Sequence, residues 1–262
     1  MKAIEKAITD VLQPVAGTFG VSACHLKTGE EISINENEVF KSASVIKVPI
    51  LIELYCRRDE GGVSLGEVIE LKDEHKVAGS GVLKELHAGL PFTILDLATL
   101  MIVVSDNTAT NMLIDRLGMD PVTARLRSLA LKDTILARKM YDFEQAALGK
   151  ENLCTPREIT LLLKLMAQGR ISGKSTSAEM LQIMAKQQCR EKIPLLLPEG
   201  VKIANKTGSL AEVTHDVGVV TTAEHEYVLS IMAGDVTDMV TADRAIAEAS
   251  KAVYGYFVMR NA

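Results

Sequence analysis

Residues 201–232 read VKIANKTGSLAEVTHDVGVVTTAEHEYVLSIM, and the fold turns on them. The runs Val201 to Lys206, His215 to Thr221 and Glu226 to Met232 are rich in apolar and β-branched residues, with short polar or glycine-containing stretches between them. That pattern predicts three strands joined by turns, since β-branched side chains pack well on a pleated surface. Downstream, Ala242 to Val258 carries apolar residues at helical spacing and closes the chain as an amphipathic helix.

The other end of the chain supplies partners for these strands. Ile4, Ala7, Ile8 and Leu12 predict a helix, ended by Pro14, Gly17 and Gly20, and Phe19 to Leu26 with Glu31 to Asn35 read as a hairpin across Lys27-Thr28-Gly29. From Ser44 a long apolar helix runs to the break at Asp59-Glu60-Gly61-Gly62, and the periodic segments from there to about Leu197 are helical. Pro49 and Pro156 fit near helix starts, where a missing N–H costs little. The expected class is α+β: an antiparallel sheet of about five strands built from both chain ends, flanked by terminal helices, with an all-helical region inserted. One domain spans 1–262, its α/β part formed by 1–60 and 198–262 and its helical part by 61–197.

At 262 residues, 47% hydrophobic and 24% charged, the chain is long enough to bury a large core. A net charge of -5 and the lack of a basic tract argue against nucleic acid. No run approaches the roughly eighteen apolar residues of a membrane span. Met1 to Leu12 interleaves charged with apolar residues, unlike a secretory signal. Either a leader was trimmed from a periplasmic or secreted protein, or the protein stays in the cytoplasm. Cys24, Cys56, Cys154 and Cys189 are scattered without CxxC spacing, and His25, His75, His87 and His225 lack metal-ligand spacing to one another. Free thiols, no metal, no cofactor and a monomer acting on a small molecule are therefore expected.

Three short motifs carry chemistry. Ser44-Val45-Ile46-Lys47 puts a hydroxyl and an amine one helical turn apart, where they can share a hydrogen bond. A serine hydroxyl is a weak nucleophile without a base, and a lysine serves when burial or a nearby cation lowers its pKa. Ser105-Asp106-Asn107 lies in a short connection between helices, which an ordinary capping cluster would also explain. Lys206-Thr207-Gly208-Ser209 ends a strand with a cation, hydroxyls and a small residue that lets a ligand approach the backbone. Lys27-Thr28-Gly29 repeats the tripeptide in a turn, so the tripeptide alone decides nothing.

The order of these motifs, each in its required kind of element, resembles that of class A β-lactamases and related penicillin-recognising serine hydrolases. Gly79-Ser80-Gly81-Val82-Leu83 and the stretch from Asp96 to Asn111 strengthen the resemblance, which covers nearly the whole chain. It implies that Ser44 is acylated by a β-lactam carbonyl, that Lys47 takes its proton and that Ser105 passes a proton to the leaving nitrogen. It further implies that Asn107 holds a substrate side-chain amide and that Lys206, Thr207 and Ser209 bind a carboxylate. The backbone N–H groups of Ser44 and Ser209 would form the oxyanion hole, with Gly208 between its neighbours keeping the strand accessible.

The sequence departs from that family in two places. Class A enzymes release the acyl group with a Glu and an Asn four residues apart in an omega-shaped loop. Aligning on Arg138 puts Met140 where the Glu belongs, and aligning on Thr155-Pro156 puts Lys139 there. Asp142 and Glu144 are the nearby acids, and Glu144 is the substitute base expected here. An arginine that supports the substrate carboxylate in many relatives is also missing between Ser209 and His215, leaving His215 as a candidate. Alternatives to a β-lactamase are a D-alanyl peptidase-like or esterase-like hydrolase inhibited by β-lactams, and a non-catalytic relative binding peptidoglycan fragments or a protein.

Overall fold

The computed structural model describes residues 2–259. Helix α1 (Ala3–Leu12) leads into strands β1 (Thr18–His25) and β2 (Glu31–Ile34), and two-residue β3 (Phe40–Lys41) precedes the turn holding Ser44. Helix α2 (Lys47–Asp59), β4 (Val68–Glu70), β5 (Pro91–Thr93), α3 (Ile94–Val103), α4 (Asn107–Leu117) and α5 (Met119–Ser128) follow. Next come α6 (Phe143–Ala147), β6 (Leu153–Cys154), α7 (Pro156–Ala167) and α8 (Lys174–Met184). Strands β7 (Lys202–Leu210), β8 (Val213–Thr221) and β9 (Glu226–Gly234) return to the sheet before α9 (Met239–Tyr254).

The main sheet has five strands in the order β2-β1-β9-β8-β7, every pairing antiparallel. The two chain ends meet where β1 pairs with β9, Val21 opposite Ile231. The expected α+β sheet with an inserted helical region is thus observed. Strands β4 and β5, paired with each other, and β6, paired with β3, interrupt the stretch 61–197 read as helical.

The sheet is buried on both faces, which is why its strands read as continuous apolar runs. Tyr227, Leu229, Ile231 and Ala233 of β9 join Ile4, Ile8 and Leu12 of α1 and Ile246 and Val253 of α9 in one core. The alternate residues Val228 and Met232 join Ile50, Leu54, Ile159 and Leu163 of the helical region in the other. Each such valine, leucine, isoleucine or methionine, fully buried, stabilises the fold by roughly 1.5–3 kcal/mol. All four cysteines carry free thiols. Among the described residues no helix is long and apolar enough to cross a membrane.

Two boundaries differ from expectation in ways that shape the site. Ser44 lies in a 3-10 turn, Ala43–Ile46, and the α-helix begins only at Lys47. Strand β7 does not end at Lys206 but runs on to Leu210, pairing Lys206 with Val217 and Gly208 with His215. Gly208 is a weak strand former, and the ladder with β8 overrides that preference.

Candidate active site

Lys47 is fully buried at the start of α2, a helix buried on all sides through Cys56. Its ammonium has three N–H donors, and three acceptors meet them: Ser105 O at 2.7 Å, Ser105 Oγ at 3.0 Å and Asn107 Oδ1 at 2.9 Å. Burial, and then the cation of Lys206, holds its pKa well below the usual lysine range, a shift toward the free amine. Ser44 is not among its hydrogen-bond partners in this state, because the amine is drawn toward Ser105 and Asn107 instead.

Lys206 lies in β7, the edge strand of the sheet, and is equally buried. It donates to Thr207 O at 2.7 Å and to Ser105 Oγ at 3.1 Å, and burial pushes its pKa down to about 8. Ser105 Oγ therefore accepts from two lysines, leaving its own O–H free to donate elsewhere. Its backbone is left-handed, φ 56°, a conformation costing about 1–3 kcal/mol for a non-glycine residue. Ala43, next to Ser44, is left-handed too, at φ 45°.

The three residues of Ser105-Asp106-Asn107 divide their work. Asp106 is the N-cap of α4, accepting from Ala109 N at 2.9 Å. Its other oxygen accepts from Val82 N and Leu83 N at 2.6 and 2.8 Å, which ties the Gly79–Leu83 loop to the helix start. The flanking Ser105 and Asn107 both accept from Lys47 Nζ, so the motif caps α4 and also meets the buried lysine.

Strand β7 abuts the Ser44 turn. A Cβ on Gly208 would lie 3.1 Å from Ser44 N and 3.2 Å from Ser42 O, so any larger residue would push the two backbones a few tenths of an ångström apart. Ser44, Asn107 and Ser209 then open onto one cleft of about 370 Å³, with Met140, Tyr141 and Phe143 along it. Lys47, Ser105 and Lys206 form its polar underside.

The loop between α5 and α7 closes this cleft. Asn152 Oδ1 accepts from Ala137 N and Arg138 N at 2.7 and 3.0 Å, while its Nδ2 donates to Arg138 O at 3.0 Å. Asn111 grips Met140 in the same way, accepting from Met140 N at 2.8 Å and donating to Met140 O at 3.0 Å. Asp142 caps α6 through Gln145 N. Glu144 is exposed on α6 and does not line the cleft that holds Ser44. Glu151 does line it, paired with Arg138.

A model of the beta-lactamase enzyme family matches residues 3–257. The chain belongs to the β-lactamase family. In sequence it is 25% identical to β-lactamase CARB-3 of Pseudomonas aeruginosa over 226 residues, 85% of this chain and 78% of that one. In structure it is similar to a β-lactamase from Sphaerobacter thermophilus, with a TM-score of 0.89, 33% identity, and coverage of 97% of this chain and 96% of the other. It is similar also to PBP-A, with a TM-score of 0.90 and 28% identity, covering 98% and 96%. The β-lactamase family chain is a β-lactamase-like serine hydrolase.

In this β-lactamase family member, several supporting residues escaped the sequence reading. Lys192, fully buried, donates to Ser209 Oγ at 3.0 Å and stands 3.6 Å from Asp243. Between Arg190-Glu191 and Ile193 it resembles a solvated lysine, and nothing local signals its burial. His215, the candidate for carboxylate support, is fully buried instead. It bonds Lys41 O through Nε2 at 2.8 Å and accepts from Ala233 N at Nδ1, so it braces the segment before Ser44.

Proposed function

We propose that this chain opens a β-lactam amide by acyl transfer to Ser44 and releases the product slowly. Ser44 Oγ bonds to the carbonyl carbon, its proton passes to the free amine of Lys47, and the carbon–nitrogen bond breaks as Ser105 delivers a proton to the leaving nitrogen and takes one from Lys47 in return. Backbone N–H groups of Ser44 and Ser209 hold the oxyanion, a contribution of about 3 kcal/mol per donor in comparable sites. Asn107 holds an amide of the substrate, and Thr207, Ser209 and Lys206 receive its carboxylate, with Gly208 letting it reach the strand.

The observation that carries this reading is the double hydrogen bond of Ser105 Oγ, 3.0 Å from Lys47 and 3.1 Å from Lys206, beside the Ser44 turn. Binding alone gives no reason to bury two lysines against one hydroxyl. A variant of PBP-A, L158E, with 28% identity to this chain, has been captured as an acyl-enzyme complex with penicillin G. Slow release follows from the cleft's acids: among the described residues the carboxylate lining it is Glu151, which is tied to Arg138.

Excess chromogenic cephalosporin, with hydrolysis followed over many turnovers and intact mass spectra taken at intervals, tests both steps. A burst with a long-lived adduct on Ser44 is expected, and Ser44→Ala removes it. Undiminished labelling of Ser44→Ala would sink the assignment, and fast turnover without adduct would sink slow release.

A further inference from the structure

We infer that Tyr141 and Phe143 form an aromatic wall that favours substrates carrying an aryl group on the acyl side of the bond attacked, an inference that rests on the acyl-transfer reading above. The two rings meet edge to face, 4.9 Å between centroids, and both line the cleft that holds Ser44. Tyr141 is 45% exposed and Phe143 61%, whereas Phe19, Phe40, Phe257, Tyr55 and Tyr227 are buried. An exposed ring pair inside a cleft gains most from being covered by a flat apolar group.

The wall's position is built in. Tyr141 adopts the left-handed backbone, φ 65°, and Asn111 holds the preceding Met140 by both backbone groups. Gly79, at φ 86°, lies against the ring, and a Cβ there would come within 2.5 Å of both Tyr141 Cε2 and Asn107 Nδ2. The tyrosine ring and the Asn107 amide therefore meet at the same glycine. A substrate amide held by Asn107 projects its next substituent toward Tyr141 and Phe143. The substrate's charged end is drawn to the lysines beneath Ser105, which leaves the apolar end for the wall.

The test compares two penicillanic acids differing only in the acyl group, phenylacetamido against acetamido, by the second-order rate of adduct formation on Ser44 in intact mass spectra. The wild-type protein prefers phenylacetamido on the order of tenfold. Replacing Tyr141 and Phe143 together by Ser brings that ratio close to one, slowing phenylacetamido far more than acetamido. Phe143→Ser alone, at the more exposed ring and without risk to the core, lowers the ratio part of the way, and Tyr141→Phe retains it. A wild-type ratio near one, or variants that slow both probes equally, overturns the wall and leaves acyl transfer standing. If neither probe acylates the wild-type protein, acyl transfer itself falls and the wall falls with it.

Discussion

On one side of the cleft, Lys47, Ser105 and Lys206 sit at a helix start, a helix junction and a sheet edge, buried and held by several hydrogen bonds. On the other, residues 137–152 form a loop with Tyr141, Phe143 and Glu144 exposed, pinned by the amides of Asn111 and Asn152. The first side fixes charges in a dry place before any substrate arrives, the arrangement that most lowers a barrier. The second presents shape and apolar surface, and its cleft-lining carboxylate, Glu151, is tied to Arg138. In the proposed mechanism, forming the acyl-enzyme and resolving it draw on different parts of the molecule, and variants should separate them.

The largest effect belongs to the buried side. Lys47→Met keeps the length and apolar stem while removing the base, and acylation should fall on the order of 10³-fold. Thermal unfolding should remain cooperative, because burying an ammonium is itself costly. Acylation within tenfold of wild type would show that Ser105 or Lys206 activates Ser44 without Lys47.

On the loop side, Met140→Glu puts a carboxylate where Asn111 already fixes the backbone. It should speed loss of the adduct by about 10²-fold, the usual scale for a positioned base, with acylation nearly unchanged. Mass spectra after removal of free β-lactam measure this directly. Equal slowing of both steps would mean the loop and the polar underside are not separable.

The buried side should also respond to pH through two opposed groups. Burial pushes His215 down to about 4, so the neutral ring's stabilisation is complete above its unfolded value near 6.5 and is lost as pH falls toward 4. Asp216, buried against Asn205 and Ile193 N, is pushed up to about 6, so its destabilising charge disappears over the window from about 6 to 4. Each amounts to about 3 kcal/mol with opposite sign, and their contributions nearly cancel. Denaturant titrations from pH 7 to 4 should show Asp216→Asn losing stability on acidification faster than wild type, and His215→Gln losing it more slowly. Identical slopes in all three proteins would remove both groups from the balance.

The sheet and the proposed reactive residues were legible because they are written locally: continuous apolar runs for a doubly covered sheet, and Ser44 and Lys47 one turn apart. The turn reading of Lys27-Thr28-Gly29 also follows from local chemistry, and Thr28 there bonds back to His25. Lys192, Asn111 and Asn152 were not legible, because their partners Ser209, Met140 and Arg138 lie far along the chain. An amide that grips a distant backbone has no sequence signature, and a buried lysine looks like a solvated one until the fold surrounds it.

Glu144 is where sequence proximity and geometry part, and its variant carries the smallest expected effect. It was the candidate base as one of the two acids, with Asp142, near the missing loop Glu, yet α6 is a single short turn of helix and Glu144 faces solvent rather than the cleft. A base must come within hydrogen-bond reach of the water it activates, directly or through one other water. Glu144→Gln should therefore leave both acylation and adduct loss within about twofold of wild type, the scatter expected of a surface substitution. If adduct loss instead fell by about tenfold or more, with acylation untouched, residues 142–147 would have to swing inward once Ser44 is acylated. The loop would then be a moving part that completes the site after the first step, and Met140→Glu should add little to it.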